Sequence, residues 1–466
     1  MKRRFVKTAA VCAGFVIGLS ACGQSGERKD AAPDSSLETE NIETENTETG
    51  NMESEDTETD IIDDDSTETE STEMNEADAN SAQTGETEES EWYQQMLESS
   101  VLSTGTNGRL EKVLEKMKNG ESVSIAFIGG SVTEGSLAAS YEESYTDCFV
   151  EGLQETYPDA EITYINAGLS GTGSSLGVMR YDRDVVEMAG CQPDIVFLEF
   201  AINDYAEPTD GRAYESMIRT ILGADNDPAV ILLFSVAQND WNMQETYIPM
   251  GEHYGLPMVS IKNAIEKPLV DETLTKKEFF ADEYHPSTYG HKIMADCLGE
   301  LVREAESTES SEVAVLPEES VKSPDFMDMH LLTSEGEAGV TVSEGGFSST
   351  DNQVHGFGRR GGKSAFPDNW MHTAESGEEA FRVELECKNI IVNYKTSASK
   401  DFGKVYVYVD GDQVAELDGD VQNAWNNSIQ ALVLDEEESG HHVLELRMAE
   451  GDEGKNFTLL AIGYSK

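Results

Sequence analysis

Between residues 93 and 303, short apolar runs alternate with longer stretches of mixed polarity. The runs are 123–128 (Val-Ser-Ile-Ala-Phe-Ile), 162–166 (Ile-Thr-Tyr-Ile-Asn), 195–200 (Ile-Val-Phe-Leu-Glu-Phe), 229–236 (Ala-Val-Ile-Leu-Leu-Phe-Ser-Val) and 258–261 (Met-Val-Ser-Ile). They are short and nearly continuously apolar, as strands covered on both faces should be. Segments such as 143–156, 176–190 and 243–254 have helical character and lie between them. Strand and helix in alternation predict a parallel sheet with right-handed crossovers, an α/β domain over 92–303. Ligands of such sheets bind beyond the carboxyl ends of the strands.

The pattern changes twice on either side of this region. Residues 304–324 are rich in Glu, Ser and Pro and read as a linker. From 325 to 466 the runs 381–386, 389–396, 404–409, 429–434 and 442–448 favour strands, and no strong helix stands out. Val409-Asp410-Gly411-Asp412 predicts a hairpin turn, and Ser439-Gly440 a second turn. A C-terminal antiparallel β-sandwich is expected. Before residue 92 the chain is different again. Residues 23–91 are low-complexity Glu, Thr, Asp, Ser and Asn, with too few apolar side chains to offset the entropy of ordering. They predict an extended acidic tether that acts as a spacer, with calcium binding as the sharper alternative.

Residues 1–22 carry a targeting signal: the basic start Met-Lys-Arg-Arg is followed by an apolar stretch from Ala9 to Leu19. That stretch is short for a transmembrane helix of about 20 residues. Leu19-Ser20-Ala21-Cys22 matches the lipobox of bacterial lipoprotein signal peptides. This resemblance implies cleavage before Cys22, lipidation of its thiol, and attachment to the extracellular face of a bacterial membrane. Two or more acyl chains give stable anchoring.

Charge and cysteines narrow the function classes. With 91 acidic against 32 basic residues the net charge is −59, which repels nucleic acid and makes it an unsuitable partner. Of the six cysteines, Cys12 lies in the signal segment and Cys22 in the lipobox. Cys148, Cys191, Cys297 and Cys387 have neither metal-ligand nor disulfide-framework spacing, and buried free thiols are expected.

Four stretches carry chemistry. The first strand ends in Gly129-Gly130-Ser131-Val132-Thr133-Glu134-Gly135. A serine directly after an apolar strand, flanked by glycines, is presented at the sheet's carboxyl edge, where the following helix turns its positive end toward it. A phosphate loop is the alternative, but there is no Walker lysine. The second strand ends in Asn166-Ala167-Gly168-Leu169-Ser170-Gly171-Thr172-Gly173-Ser174, a loop whose glycines can offer bare N–H groups. The third ends in Glu199-Phe200-Ala201-Ile202-Asn203-Asp204, where an Asn amide can face developing negative charge. After the fifth comes Asp282-Glu283-Tyr284-His285-Pro286, an acid able to orient an imidazole. Any one of these is weak alone.

In this order the four stretches resemble the blocks of the SGNH/GDSL hydrolase family, over residues 120–300. The resemblance implies a flavodoxin-like three-layer α/β/α domain and a serine esterase. It makes Ser131 the nucleophile and Asp282 and His285 the rest of the triad. It makes the oxyanion donors the N–H of Ser131, the N–H of Gly171 (with Gly168 as alternative) and the side chain of Asn203. No metal or other cofactor is implied. Two departures mark a divergent branch: Gly130 stands where the family commonly has Asp, and Ala201 where it often has Gly.

The C-terminal stretch around Lys404-Val405-Tyr406-Val407-Tyr408-Val409-Asp410-Gly411 is similar to β-sandwich modules accompanying carbohydrate esterases. An acylated polysaccharide is therefore the expected substrate, removal of acetyl groups the expected reaction, and Trp241, Trp370 and Trp425 the candidate glycan contacts. Each tryptophan has packing in a core as its alternative role. The competing functions are a peptidoglycan O-acetylesterase, a lipid esterase and a non-catalytic glycan-binding surface lipoprotein.

Overall fold

A computed structural model describes residues 91–308 and 312–466. The signal segment, Cys22 and the acidic tether (all but residue 91) lie outside the described residues.

The first layer is a six-stranded sheet of β1 (Val101–Thr104), β2 (Ser122–Gly129), β3 (Glu161–Gly168), β4 (Ile195–Glu199), β5 (Ala229–Phe234) and β6 (Pro257–Ser260), in the order β1-β6-β5-β4-β2-β3. Five strands are parallel in the doubly-wound order of a flavodoxin-like sheet, as expected. The sheet is mixed rather than wholly parallel, because β1 runs antiparallel along β6. That strand was not anticipated: Val-Leu-Ser-Thr is too short to stand out, and half-buried pairing on an edge decides its state.

Successive strand residues serve opposite faces. Val123, Ile125 and Phe127 of β2 join Ile195 and Phe197 of β4 in one apolar core, closed by the helix Thr288–Glu306. Ala126 and Ile128 join Val196 and Leu198 in a second core, closed by the helices Ser174–Tyr181 and Arg212–Leu222. This alternation on both faces is the reason the strands read as unbroken apolar runs.

The C-terminal region is antiparallel. It is built from β7 (Met329–Leu332), β8 (Thr341–Ser343), a small pair β9 (Gly356–Phe357) and β10 (Lys363–Ser364), then β11 (Trp370–His372), β12 (Phe381–Ser397), β13 (Lys404–Val409), β14 (Asp412–Asp418), β15 (Trp425–Met448) and β16 (Phe457–Ser465). Two long strands, β12 and β15, pass through both halves of the fold. The start of β12 pairs with the end of β15, and its end pairs with the start of β15 and with β16. Val383, Val407 and Leu446 of one half face Ile390, Leu459 and Tyr464 of the other across a shared core.

The hairpin at Asp410–Gly411 forms as expected, with both residues at positive φ (54° and 87°). The expected turn at Ser439–Gly440 does not. Gly440 pairs with Cys387 inside β15, and residues 436–439 form an irregularity where the register jumps. Extra residues on one strand let it bend from one half into the other without reversing.

The two regions share a core. Ile391, Leu432, Leu460 and Ala461 from the antiparallel sheet, with Phe326 and Phe357, pack into the apolar cluster of the second α/β face. Gly463 approaches so closely that a Cβ there would lie 2.7 Å from Met179. Residues 312–324 are docked rather than loose: Glu215 accepts the N–H groups of Val321 and Lys322, and Arg219 donates to the carbonyl of Pro317. Cys297 and Cys387 are buried thiols as expected, whereas Cys148 is half-buried and Cys191 exposed; all four are free.

Candidate active site

In the order β3-β2-β4-β5-β6 the chain reverses direction between β2 and β4, and the crevice beyond their carboxyl ends is where such sheets bind ligands. Ser131 leaves the end of β2 as the first residue of a short helix, Ser131–Glu134. Asn203 leaves the end of β4. His285 comes from the loop before the helix Thr288–Glu306.

Ser131 and His285 meet there with Asp282, from the same loop as His285. The Nε2 of His285 is 2.8 Å from Ser131 Oγ, and its Nδ1 is 2.9 Å from Asp282 Oδ2 and 3.0 Å from Oδ1. Asp282 also accepts the backbone N–H groups of Tyr284 and His285, each at 2.8 Å. Burial pushes the Asp282 carboxyl up, but the His285 hydrogen bond and those N–H groups outweigh it and hold it below the usual range. An ionised Asp282 accepts the hydrogen bond of Nδ1–H and so fixes the tautomer whose Nε2 is free to accept the serine proton.

Around the serine, backbone groups are already engaged. Gly129 C=O accepts from Leu169 N–H (3.1 Å) and from buried Arg180 (3.1 Å), and Gly130 C=O accepts from Glu134 N–H (3.0 Å). Among the described residues no such bond takes the N–H of Ser131 or of Gly171. Gly168 differs: its N–H donates to Asn166 Oδ1 at 2.9 Å, so it is occupied. Gly171 sits at φ +71°, a conformation that suits glycine. The amide of Asn203 lies over Gly130, where a Cβ would be 2.0 Å from Oδ1. Gly130, the departure from the family's Asp, is thus the residue that lets Asn203 pack here.

Both faces of the crevice carry further groups. Glu134 is buried and accepts from the N–H and hydroxyl of Ser170 and from the N–H of Gly358. It ties the nucleophile turn, the Gly171 loop and the C-terminal region together. Arg359 ion-pairs with Asp147 and lies 5.0 Å over the ring of Tyr141. Trp425 packs against Gly171, and the ring of His355 meets it edge-on at 4.3 Å. On another side Trp241 meets Tyr205 edge-on at 5.5 Å; Tyr205 is 54% exposed and follows Asn203-Asp204 directly. The loop of Trp241 also touches the His285 loop, through Gln238 N–H to Glu283 C=O (2.9 Å). Trp370 is only 2% exposed and packs on Phe381, so it is a core residue and not a glycan contact.

Beneath the serine lies a group the motifs did not identify. Glu199 is fully buried and accepts from Thr133 Oγ1 at 3.0 Å and from the Ser235 hydroxyl. Burial pushes its carboxyl up to about 7, against hydrogen bonds from Ser235, Thr133 and the Gly130 backbone. Asp204 is likewise pushed up to about 7 by burial and by Glu207, and it accepts from Ser174 N–H (2.7 Å) and Tyr247 Oη (2.5 Å). An acid inside an apolar strand was the available signal for Glu199.

Residues 127–293 match the GDSL-like lipase/acylhydrolase family. They form a domain of that family, and its activity class is carboxylic ester hydrolysis. Beyond the GDSL domain the likeness extends to solved two-domain proteins. A two-domain esterase active on acetylated mannans, co-crystallised with mannopentaose, is 26% identical, with a TM-score of 0.69 over 79% of this chain and 98% of that one. A second structure of such an esterase is 27% identical, with a TM-score of 0.70 over 79% of this chain and 99% of that one. An acetylxylan esterase of Geobacillus stearothermophilus is 27% identical over 209 residues, 38% of this chain and 93% of that protein.

Proposed function

We propose that this protein removes acetyl groups from a polysaccharide, with Ser131 as nucleophile, His285 as general base and acid, and Asp282 as its orienting carboxylate. The observation that carries the reading is the unbroken hydrogen-bonded chain from Ser131 Oγ through His285 to Asp282 at the sheet's switch point. His285 takes the serine proton as Oγ attacks the ester carbonyl. The N–H groups of Ser131 and Gly171 and the amide of Asn203 hold the oxyanion, each worth about 3 kcal/mol in the transition state. As the intermediate collapses, the bond from the acyl carbon to the sugar oxygen breaks, the imidazolium protonates that oxygen so that it leaves as a hydroxyl, and the acetyl group stays on Ser131. Water repeats the attack on the acetyl-enzyme and releases acetate.

The glycan assignment is supported by relatives described as acting on acetylated mannans and xylan. The aromatic rims at Trp425 with His355 and at Trp241 with Tyr205 suit sugar rings, whose apolar faces stack on aromatic side chains. The Leu-Ser-Ala-Cys pattern supports a lipid anchor at Cys22 on the extracellular face of a bacterial membrane, so that the enzyme meets polymers outside the cell.

The test offers acetylated mannan, acetylated xylan and acetylated peptidoglycan to the protein and to Ser131→Ala, and measures acetate. Release from a plant glycan that disappears in the variant supports the reading. Release only from peptidoglycan would move the assignment to the cell wall. None from any of them or from an aryl acetate, with glycan still bound, would leave a binding protein. For the anchor, a palmitate label retained by Cys22→Ala would overturn lipidation at that thiol.

A further inference from the structure

Glu199 is the last residue of β4 and pairs in register with Gly129, the last residue of β2. Its side chain passes under the turn that carries Ser131. Two side-chain donors hold it: the Ser235 hydroxyl and Thr133 Oγ1. Tyr145 Oη lies 2.9 Å from Thr133 Oγ1, and with the threonine donating to Glu199, the phenol donates to the threonine. The arrangement runs from Tyr145 through Thr133 to Glu199, and from Ser235 on the other side.

A carboxylate has no lower-cost reason to be here. Burying it is unfavourable, and an apolar side chain of equal size would fill the space. The buried cation on this side, Arg180, is paired with Asp184 instead. The other titratable groups that feel Glu199, Tyr145 and Tyr214, are buried phenols kept neutral first by desolvation. What a carboxylate adds is several acceptor sites on one group, here used to hold Thr133 of the nucleophile turn and Ser235 together.

We propose that Glu199 is a positioning residue for the nucleophile: by holding the side chain of Thr133, two residues after Ser131, it fixes the turn that leaves the N–H of Ser131 and its Oγ facing the crevice. Gly129 C=O is fixed at the same time by Arg180 and Leu169. The turn is thus clamped through the Thr133 side chain on one side and through the Gly129 C=O on the other. The proposal rests on Ser131 being the esterase nucleophile.

The experiment compares the full chain with Glu199→Gln, Thr133→Val and Ser131→Ala, using an aryl acetate and a fluorophosphonate that labels an activated serine. Gln keeps the volume but turns an NH2 group against donors. Glu199→Gln should lower kcat at least tenfold with KM within twofold, and slow serine labelling in parallel, while the folded circular-dichroism signal is retained. Thr133→Val, which cuts one link to Glu199, should reproduce a smaller fall in both rates; it decides the matter if the Gln variant does not fold. Full kcat and full labelling in Glu199→Gln, with Ser131→Ala inactive, would overturn the proposal and leave the esterase reading intact. A wild-type protein neither active nor labelled would remove the esterase reading, and this proposal with it.

Discussion

Trp425 of the antiparallel region stands against Gly171 of the GDSL domain, its ring carbon Cζ2 2.8 Å from where a Cβ at 171 would be. The loop offered as an oxyanion donor is therefore bordered by a residue from the other end of the chain. Gly171→Ala meets both a positive φ and that ring, at a cost of roughly 1–2 kcal/mol. Its kcat should fall about tenfold, read on an aryl acetate.

Trp425→Ala removes the aromatic wall and leaves His355 without its edge-on partner. A lost sugar-aromatic contact on the order of 1 kcal/mol corresponds to about fivefold in KM. Kinetics on acetylated manno-oligosaccharides should show that rise, larger than any change with the aryl acetate. Equal KM values for the two proteins on oligosaccharides would assign Trp425 to packing alone.

Asp282 is held below the ordinary carboxylate range by His285 and two backbone N–H groups, in spite of its burial. It stays charged across the working range, and pH–rate profiles should contain no Asp282 limb above about pH 4. Asp282→Asn should lower kcat by about 10³–10⁴ by favouring the wrong imidazole tautomer, with little change in fold.

Glu199 should leave its mark on stability as well as rate. Its carboxyl is raised to about 7 in the folded chain from an ordinary 4.5. The folded protein thus binds this proton more tightly than the unfolded one. Stability from this group is greatest below pH 4.5 and declines as pH rises toward 7, by about 3 kcal/mol at most. Urea unfolding at pH 4.5 and 7.5 should show the decline in the wild type and a smaller one in Glu199→Gln. An equal change in both would mean that the carboxyl does not titrate in this window.

Removing the C-terminal region uncovers the second core. A chain ending at residue 324 loses Phe326, Phe357, Ile391, Leu432, Leu460 and Ala461, all buried against the GDSL domain. It also loses Gly358 N–H from Glu134. Such an exposed apolar face promotes association, so the truncated chain should be found in the insoluble fraction or as large species in size-exclusion chromatography. A soluble, fully active monomer would show that the region is dispensable to the fold.

While the flavodoxin-like order came from the family resemblance, the alternation of strand and helix, a parallel sheet and the four loops at its carboxyl edge were legible along the chain. These are local properties: strand periodicity, glycines at turns, and polar side chains directly after apolar runs. The sequence by itself also placed the Asp410–Gly411 hairpin, since positive φ at both central residues needs that chemistry. Tertiary structure decided what depends on partners distant along the chain. It paired β1 antiparallel at the edge, carried β15 through Ser439–Gly440 without a turn, and buried Trp370 while leaving Trp425 at the crevice. It occupied Gly168 N–H with Asn166 and left that of Gly171 unengaged. Three tryptophans with the same intrinsic preferences received different surroundings, because burial and the identity of a contacting side chain are set by packing between elements and not by neighbours in sequence.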